Sequence, residues 1–86
     1  MAITFDDLNQ VGEVVRAATT LREAAAIWRA RDPAMRVLVV DAMDMRDETP
    51  VLSMGARSVY LGATNGHCWR VTGEPTEATA LILTEG

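Results

Sequence analysis

"RSVYLGATNGHCWRVT", residues 57–72, is the stretch on which the fold turns. Two strand-like runs, RSVYLGAT and HCWRVT, flank Asn65-Gly66. Asn-Gly between such runs is the preferred type I′ hairpin turn, because both central residues need positive φ. A two-residue loop there sets Thr64 opposite His67, Ala63 opposite Cys68, Gly62 opposite Trp69 and Tyr60 opposite Val71. Alternation then sorts the side chains. One face carries Val59, Leu61, Ala63, Cys68, Arg70 and Thr72; the other carries Tyr60, Gly62, Thr64, His67, Trp69 and Val71. A four-residue loop would change the partners but not this sorting. Trp69 lying over Gly62 would let the indole cover bare backbone.

Downstream, "GEPTEAT", 73–79, reads as a turn with one helical turn started by Pro75 at N1. "ALIL", 80–83, is a last strand. Its connection from the hairpin is too short for a parallel crossover, so it pairs antiparallel or sits elsewhere in the sheet. Upstream, "VLSM", 51–54, is a short strand broken by Gly55. "MRVLVV", 35–40, is apolar and β-branched at consecutive positions, the pattern of a strand covered on both faces or central in its sheet. "DAMDMRDETP", 41–50, is a polar connection.

The N-terminal part has helical periodicity. Residues 4–17 read as a helix with Thr4 as N-cap and Asp7 as its acidic N3 partner. Leu8, Val11, Val15 and Ala18 share one face. Gly12 weakens that helix and lets another backbone come close. "TLRE" then caps a second helix from Thr20, with Glu23 at N3 and Leu21, Ala24, Ala25, Ile27 and Trp28 as its apolar stripe. Asp32-Pro33 ends it, since a residue before proline is pushed out of the α region. The linker is a few residues long, so a helical hairpin is expected. The order is ααβ(β)βββ. The economical assembly is a single α+β domain over 1–86: a helical hairpin packed on one face of a sheet of four or five mostly antiparallel strands. The other sheet face would then need a partner, which makes a homodimer reasonable.

Composition narrows the function classes. Only Phe5, Trp28, Tyr60 and Trp69 are aromatic, so the core is mostly aliphatic and alanine. Trp28 reads as a core anchor. All eight basic residues are arginine, a mark of GC-rich coding, and the net charge is −4. The arginines form no run, which argues against a nucleic-acid partner. One cysteine cannot make an intrachain disulfide. No stretch approaches the ~20 apolar residues that span a bilayer, and the first ten residues do not read as a signal peptide. A cytoplasmic protein with no membrane contact is the expectation.

The chemistry-bearing residues are few. His67 and Cys68 are neighbours on a strand, so their side chains diverge and cannot form a dyad without a bulge. A zinc site needs four ligands, and there is one histidine and one cysteine. Cys68 reads as a small buried hydrophobe, and His67 as a hydrogen-bonding partner of Thr64 at the turn. Asp41, Asp44 and Asp47 are spaced by three, with Glu48 directly after the last, and the cluster lacks the glycine of a calcium loop. A metal or small ligand would have to use His67 and Cys68 with Asp44 or Asp47, across a dimer if need be. Met43, Met45 and Met54 lie among Asp44, Asp47 and Glu48; apolar residues interleaved with charges make an adaptable contact surface. No phosphate-binding, metalloprotease or nucleophile-elbow motif is present, and without lysine there is no Schiff base. No cofactor is implied.

The run "VYLGATNGHCWRVTGEPTEATALILTE", 59–85, with its "GHCW" turn exit and "EPTEATALIL" ending, resembles a small bacterial family encoded near nitrogen-fixation genes. A helical first half leading into "VLVVDAMD" fits the same family. The resemblance implies an accessory role in nitrogen fixation and assigns no catalytic residues. The expectation is a non-catalytic module that binds another protein, with a small-ligand or metal carrier as the alternative.

Overall fold

Two capped helices lead the chain. The computed structural model describes residues 4–65 and 68–86, apart from the side chains at positions 65, 68 and 69. α1 spans Phe5–Ala17. The Thr4 hydroxyl accepts the Asp7 N–H at 3.1 Å, and the Asp7 carboxylate accepts the Thr4 N–H at 3.0 Å, completing a capping box. α2 spans Leu21–Arg31. Here the Thr20 hydroxyl accepts the Glu23 N–H at 3.1 Å, but Glu23 does not return the bond, so half of the expected box forms. The helix stops before Asp32-Pro33, as the sequence requires.

The strands are β1 (Arg36–Val39), β2 (Leu52–Met54), β3 (Arg57–Asn65), β4 (Cys68–Thr72) and β5 (Ala80–Glu85). Their order is β1-β5-β3-β2, with β4 also on β3. β2 pairs with residues 57–59 of β3 and β4 with residues 61–65, so these two lie end to end along one flank of β3. β5 takes the other flank, antiparallel, and pairs in parallel with β1 beyond it. The fold is α+β, with the helical hairpin on one face of a mixed five-stranded sheet.

The main core lies between that hairpin and the sheet. Leu8, Val11 and Val15 of α1 and Leu21, Ala24, Ala25 and Trp28 of α2 pack on Val37, Val59, Leu61, Leu81 and Leu83. Trp28 is 4% exposed and is a core residue. Gly12 admits side chains rather than a backbone: a Cβ there would stand 3.4 Å from Leu52 Cδ1. Gly55 has a φ of 61° in the two-residue turn between β2 and β3. Such hairpins favour glycine at the first turn position.

Three sequence expectations change. The first is strand position. The central strand covered on both faces is β5, buried from Ala80 to Thr84. β1, the run with the more continuous β-branched pattern, is an edge strand. The second is register. β3 and β4 pair Asn65 with Cys68, Thr64 with Trp69, Ala63 with Arg70 and Gly62 with Val71. Each β3 residue therefore meets a residue two further along β4 than a turn at Asn65-Gly66 would give. Side-chain period is two, so this displacement keeps the same residues on each face, and hydrophobic patterning cannot distinguish the two registers. The expected His67–Thr64 bond and the packing of Trp69 and Cys68 lie outside the described residues.

The third is the far face of the sheet. A 3₁₀ turn over Ala42–Met45 folds back on it. Met45 packs with Tyr60 and Ile82, flanked by Val40 and Val71, so this face is partly covered from within the chain. A homodimer is therefore not needed simply to cover a bare sheet.

Candidate functional site

The supposed contact surface of residues 43–54 does not form one patch. Met43 is 67% exposed and Met45 only 9%, because the 3₁₀ turn sends successive side chains in different directions. Met45 belongs to the far-face core, and Met54 lies on the helix side of the sheet near Gly12. Asp44, Asp47 and Glu48 are exposed, with Arg46 and Asp47 in a loose 4.0 Å ion pair. Asp41 acts locally, since its carboxylate accepts the Met43 N–H at 3.1 Å and starts the turn. Among the described residues, no three His, Cys, Asp or Glu side chains are grouped to hold a metal ion. His67 and the Cys68 side chain lie outside the described residues.

A different place stands out. The outer side of β1 is paired to no strand among the described residues. Leu38 is 39% exposed and Val39 43% exposed. Native edges are usually blunted by proline, lysine, a bulge or a covering segment. Here Arg36 places one charge at the start of the strand, and Val37, Leu38 and Val39 continue it as a regular strand with no charge, proline or bulge.

The flank of α2 runs beside this edge. Arg22 and Arg29 are seven residues apart, two helical turns, and so share one side of α2 next to its buried stripe. Together with Ala25, Leu38 and Val39 they line an open groove. A second groove on Pro33, Met35, Arg36, Val37 and Leu38 also includes Arg29. No carboxylate lines either groove among the described residues.

The Arg29 guanidinium donates from Nη2 to the Val37 carbonyl at 2.6 Å. This is a charge-assisted bond to a backbone group that would otherwise stand unpaired on the edge. The electrostatic setting is unusual within this chain. Arg16, Arg46, Arg57 and Arg70 pair with Glu13, Asp47, Glu85 and Glu77, and Arg31 lies 5.6 Å from the Trp28 ring centre. Arg22 and Arg29 join no ion pair among the described residues. A chain of net charge −4 thus places two arginines that join no ion pair among the described residues beside its open strand edge.

Sequence reading missed these residues because "VLVV" looks buried and the arginines look scattered. The legible signal was the seven-residue spacing of Arg22 and Arg29 next to an apolar helix stripe. Among the described residues, no helix is long and apolar enough to cross a membrane. No protein-family model matches the chain, and no curated protein or solved structure matches it.

Proposed function

We propose that this chain is a non-catalytic accessory module that binds another protein through the outer edge of β1 and the adjoining flank of α2. The observation that carries this reading is the open edge itself: a regular strand whose partly exposed Leu38 and Val39 lie beside cations outside any ion pair among the described residues. Unpaired strand edges are templates for another chain, and a partner that covers this one satisfies its backbone and buries its apolar side chains. The resemblance of residues 59–85 to a family encoded near nitrogen-fixation genes supplies the proposed setting.

The test is an affinity pull-down read by mass spectrometry, from cells of the encoding organism grown with and without fixed nitrogen. Wild-type bait is compared with Leu38→Asp, which places a charge on the edge without touching the main core. A partner held by wild type and lost by Leu38→Asp is expected, enriched when fixed nitrogen is absent. A partner held equally by both baits would move the contact elsewhere. Absence of any specific partner in both conditions would remove the binding reading.

A further inference from the structure

The chemistry along β1 also restricts what kind of segment can dock there, an inference that rests on the binding reading above. In a parallel pair, the N–H and C=O of one residue point to the same side, and successive residues alternate. The Arg36 N–H bonds the Thr79 carbonyl at 3.4 Å, and the Val40 N–H bonds the Leu83 carbonyl at 3.0 Å. Even-numbered residues therefore face β5. The N–H and C=O of Val37 and Val39 face the open edge. One of these four groups, the Val37 carbonyl, is occupied by Arg29.

The two sides of an added strand would meet different chemistry. Val37 and Val39 pair in register with Leu81 and Leu83, on the side of the helices, where Arg22 and Arg29 stand. Leu38 pairs in register with Ile82, on the far face. Side chains of an incoming strand alternate in the same way. A second copy of this chain fits poorly, because edge-to-edge pairing would set Arg22 and Arg29 against the same residues of the copy.

We propose that β1 accepts an extended segment of another protein as an added strand, and that this segment alternates acidic with aliphatic residues. Its carboxylates turn toward α2 and pair with Arg22 and Arg29. Its aliphatic side chains turn the other way and extend the apolar surface at Leu38. Arg29 acts as a latch. In the free chain its guanidinium occupies the Val37 carbonyl. On docking, a backbone N–H of the segment takes that carbonyl and the guanidinium moves to a carboxylate, so each polar group exchanges one partner for another. The latch also deters neutral and basic strands, which offer Arg29 no replacement.

The probe is a fluorescein-labelled synthetic peptide that alternates glutamate with valine. Anisotropy measures binding to the full chain, and amide shifts in nitrogen-15 NMR spectra locate it. Expected are saturable binding weakened by salt, and shifts centred on Val37 and Val39. A peptide with glutamine for each glutamate should bind about tenfold or more weakly. Arg29→Gln should cause a similar loss. Val39→Pro removes an outward N–H while leaving the β1–β5 ladder intact, and should abolish binding. Arg29 lies outside the core and its one bond among the described residues is to the edge carbonyl of Val37, so Arg29→Gln leaves the packed interior unchanged and the test survives if Val39→Pro fails to fold.

Equal binding of the glutamine peptide, shifts centred away from β1, or no binding of either peptide would overturn the proposal. So would a wild-type chain that sediments as a dimer and becomes monomeric with Val39→Pro, since the occupant would then be a second copy. If the peptide fails while the pull-down still yields a Leu38-dependent partner, the acidic-strand chemistry falls and the binding reading stands.

Discussion

Arg57 ties the ends of the fold together with one side chain. Its Nη1 donates to the carbonyls of Val15 at 2.7 Å and Ala18 at 2.6 Å, and its Nη2 donates to that of Thr19 at 2.9 Å. Helix C-termini leave carbonyls without intrahelical partners, and a cation there also opposes the negative end of the helix dipole. A guanidinium suits this place because it presents several donors in a rigid plane. Its Nε also donates to Glu85 at 3.0 Å, but that carboxylate is half exposed and the ion pair is worth less than about 1 kcal/mol. Arg57→Ala should therefore destabilise the chain by about 2–3 kcal/mol, whereas Glu85→Gln should cost well under about 1 kcal/mol. Urea unfolding of the two variants decides between them. Equal losses would mean that the ion pair, and not the helix end, is what Arg57 serves. Nothing in the sequence marks this role. Arg57 is 42 residues from Val15, and only the folded chain brings them together.

Among the elements, the corner after β4 shows how a short connection is held. The Thr72 hydroxyl donates to Glu77 Oε1 at 2.9 Å while accepting the Glu74 N–H at 3.1 Å, and Arg70 Nη2 reaches the same Oε1 at 3.1 Å. The bond from Thr72 first, then the bond and charge of Arg70, hold the Glu77 carboxyl below the usual carboxylate range. A folded-state value below the unfolded one contributes stability above the unfolded pKa, and that stability is lost as pH falls through the folded value. The corner should thus loosen only in acid, below the ordinary carboxylate range. Carbon-13 NMR of the Glu77 carboxyl checks this: its midpoint should lie low in wild type and rise in Thr72→Val. An unchanged midpoint in that variant would remove Thr72 as the cause. The elements differ in how far they were legible. Both helices and their caps could be read because Thr4, Thr20 and Pro33 are local signals. The hairpin faces could be read from alternation, but its register could not, since a displacement of two hides no side chain. The edge position of β1 was illegible because covering of a strand depends on partners far away in sequence. Its 39–43% exposure at Leu38 and Val39 is where the apolar pattern and the fold disagree, and such disagreements concentrate at functional sites.

For the molecule as a whole, the sheet acts as a partition between two cores of unequal size. The helix-side core gathers residues from both helices and three strands, with Leu52 and Met54 of β2 at its margin, whereas the far-side core is Met45, Tyr60 and Ile82 with Val40 and Val71 at its margin. The two groups share no residue, although they are built on adjacent positions of the same strands, such as Leu81 and Ile82. Side-chain changes at sites with no common partners add in their effect on stability to within about 0.5 kcal/mol. Ala25→Gly, on the buried stripe of α2, should cost about 1 kcal/mol through helix propensity alone. Met45→Ala should cost about 2 kcal/mol, at the low end for a buried methionine because it sits at the rim of a small cluster. The double variant should therefore lose about 3 kcal/mol, a measurable part of the roughly 5–15 kcal/mol typical of native domains. Three urea curves and the wild type complete the cycle. A coupling above about 1 kcal/mol would show that the strands transmit packing strain from one face to the other, so that covering the far face also tunes the helix side. Additivity would mean that the faces stand independently. A strand added at β1, which extends both faces at once, would then gain from each separately.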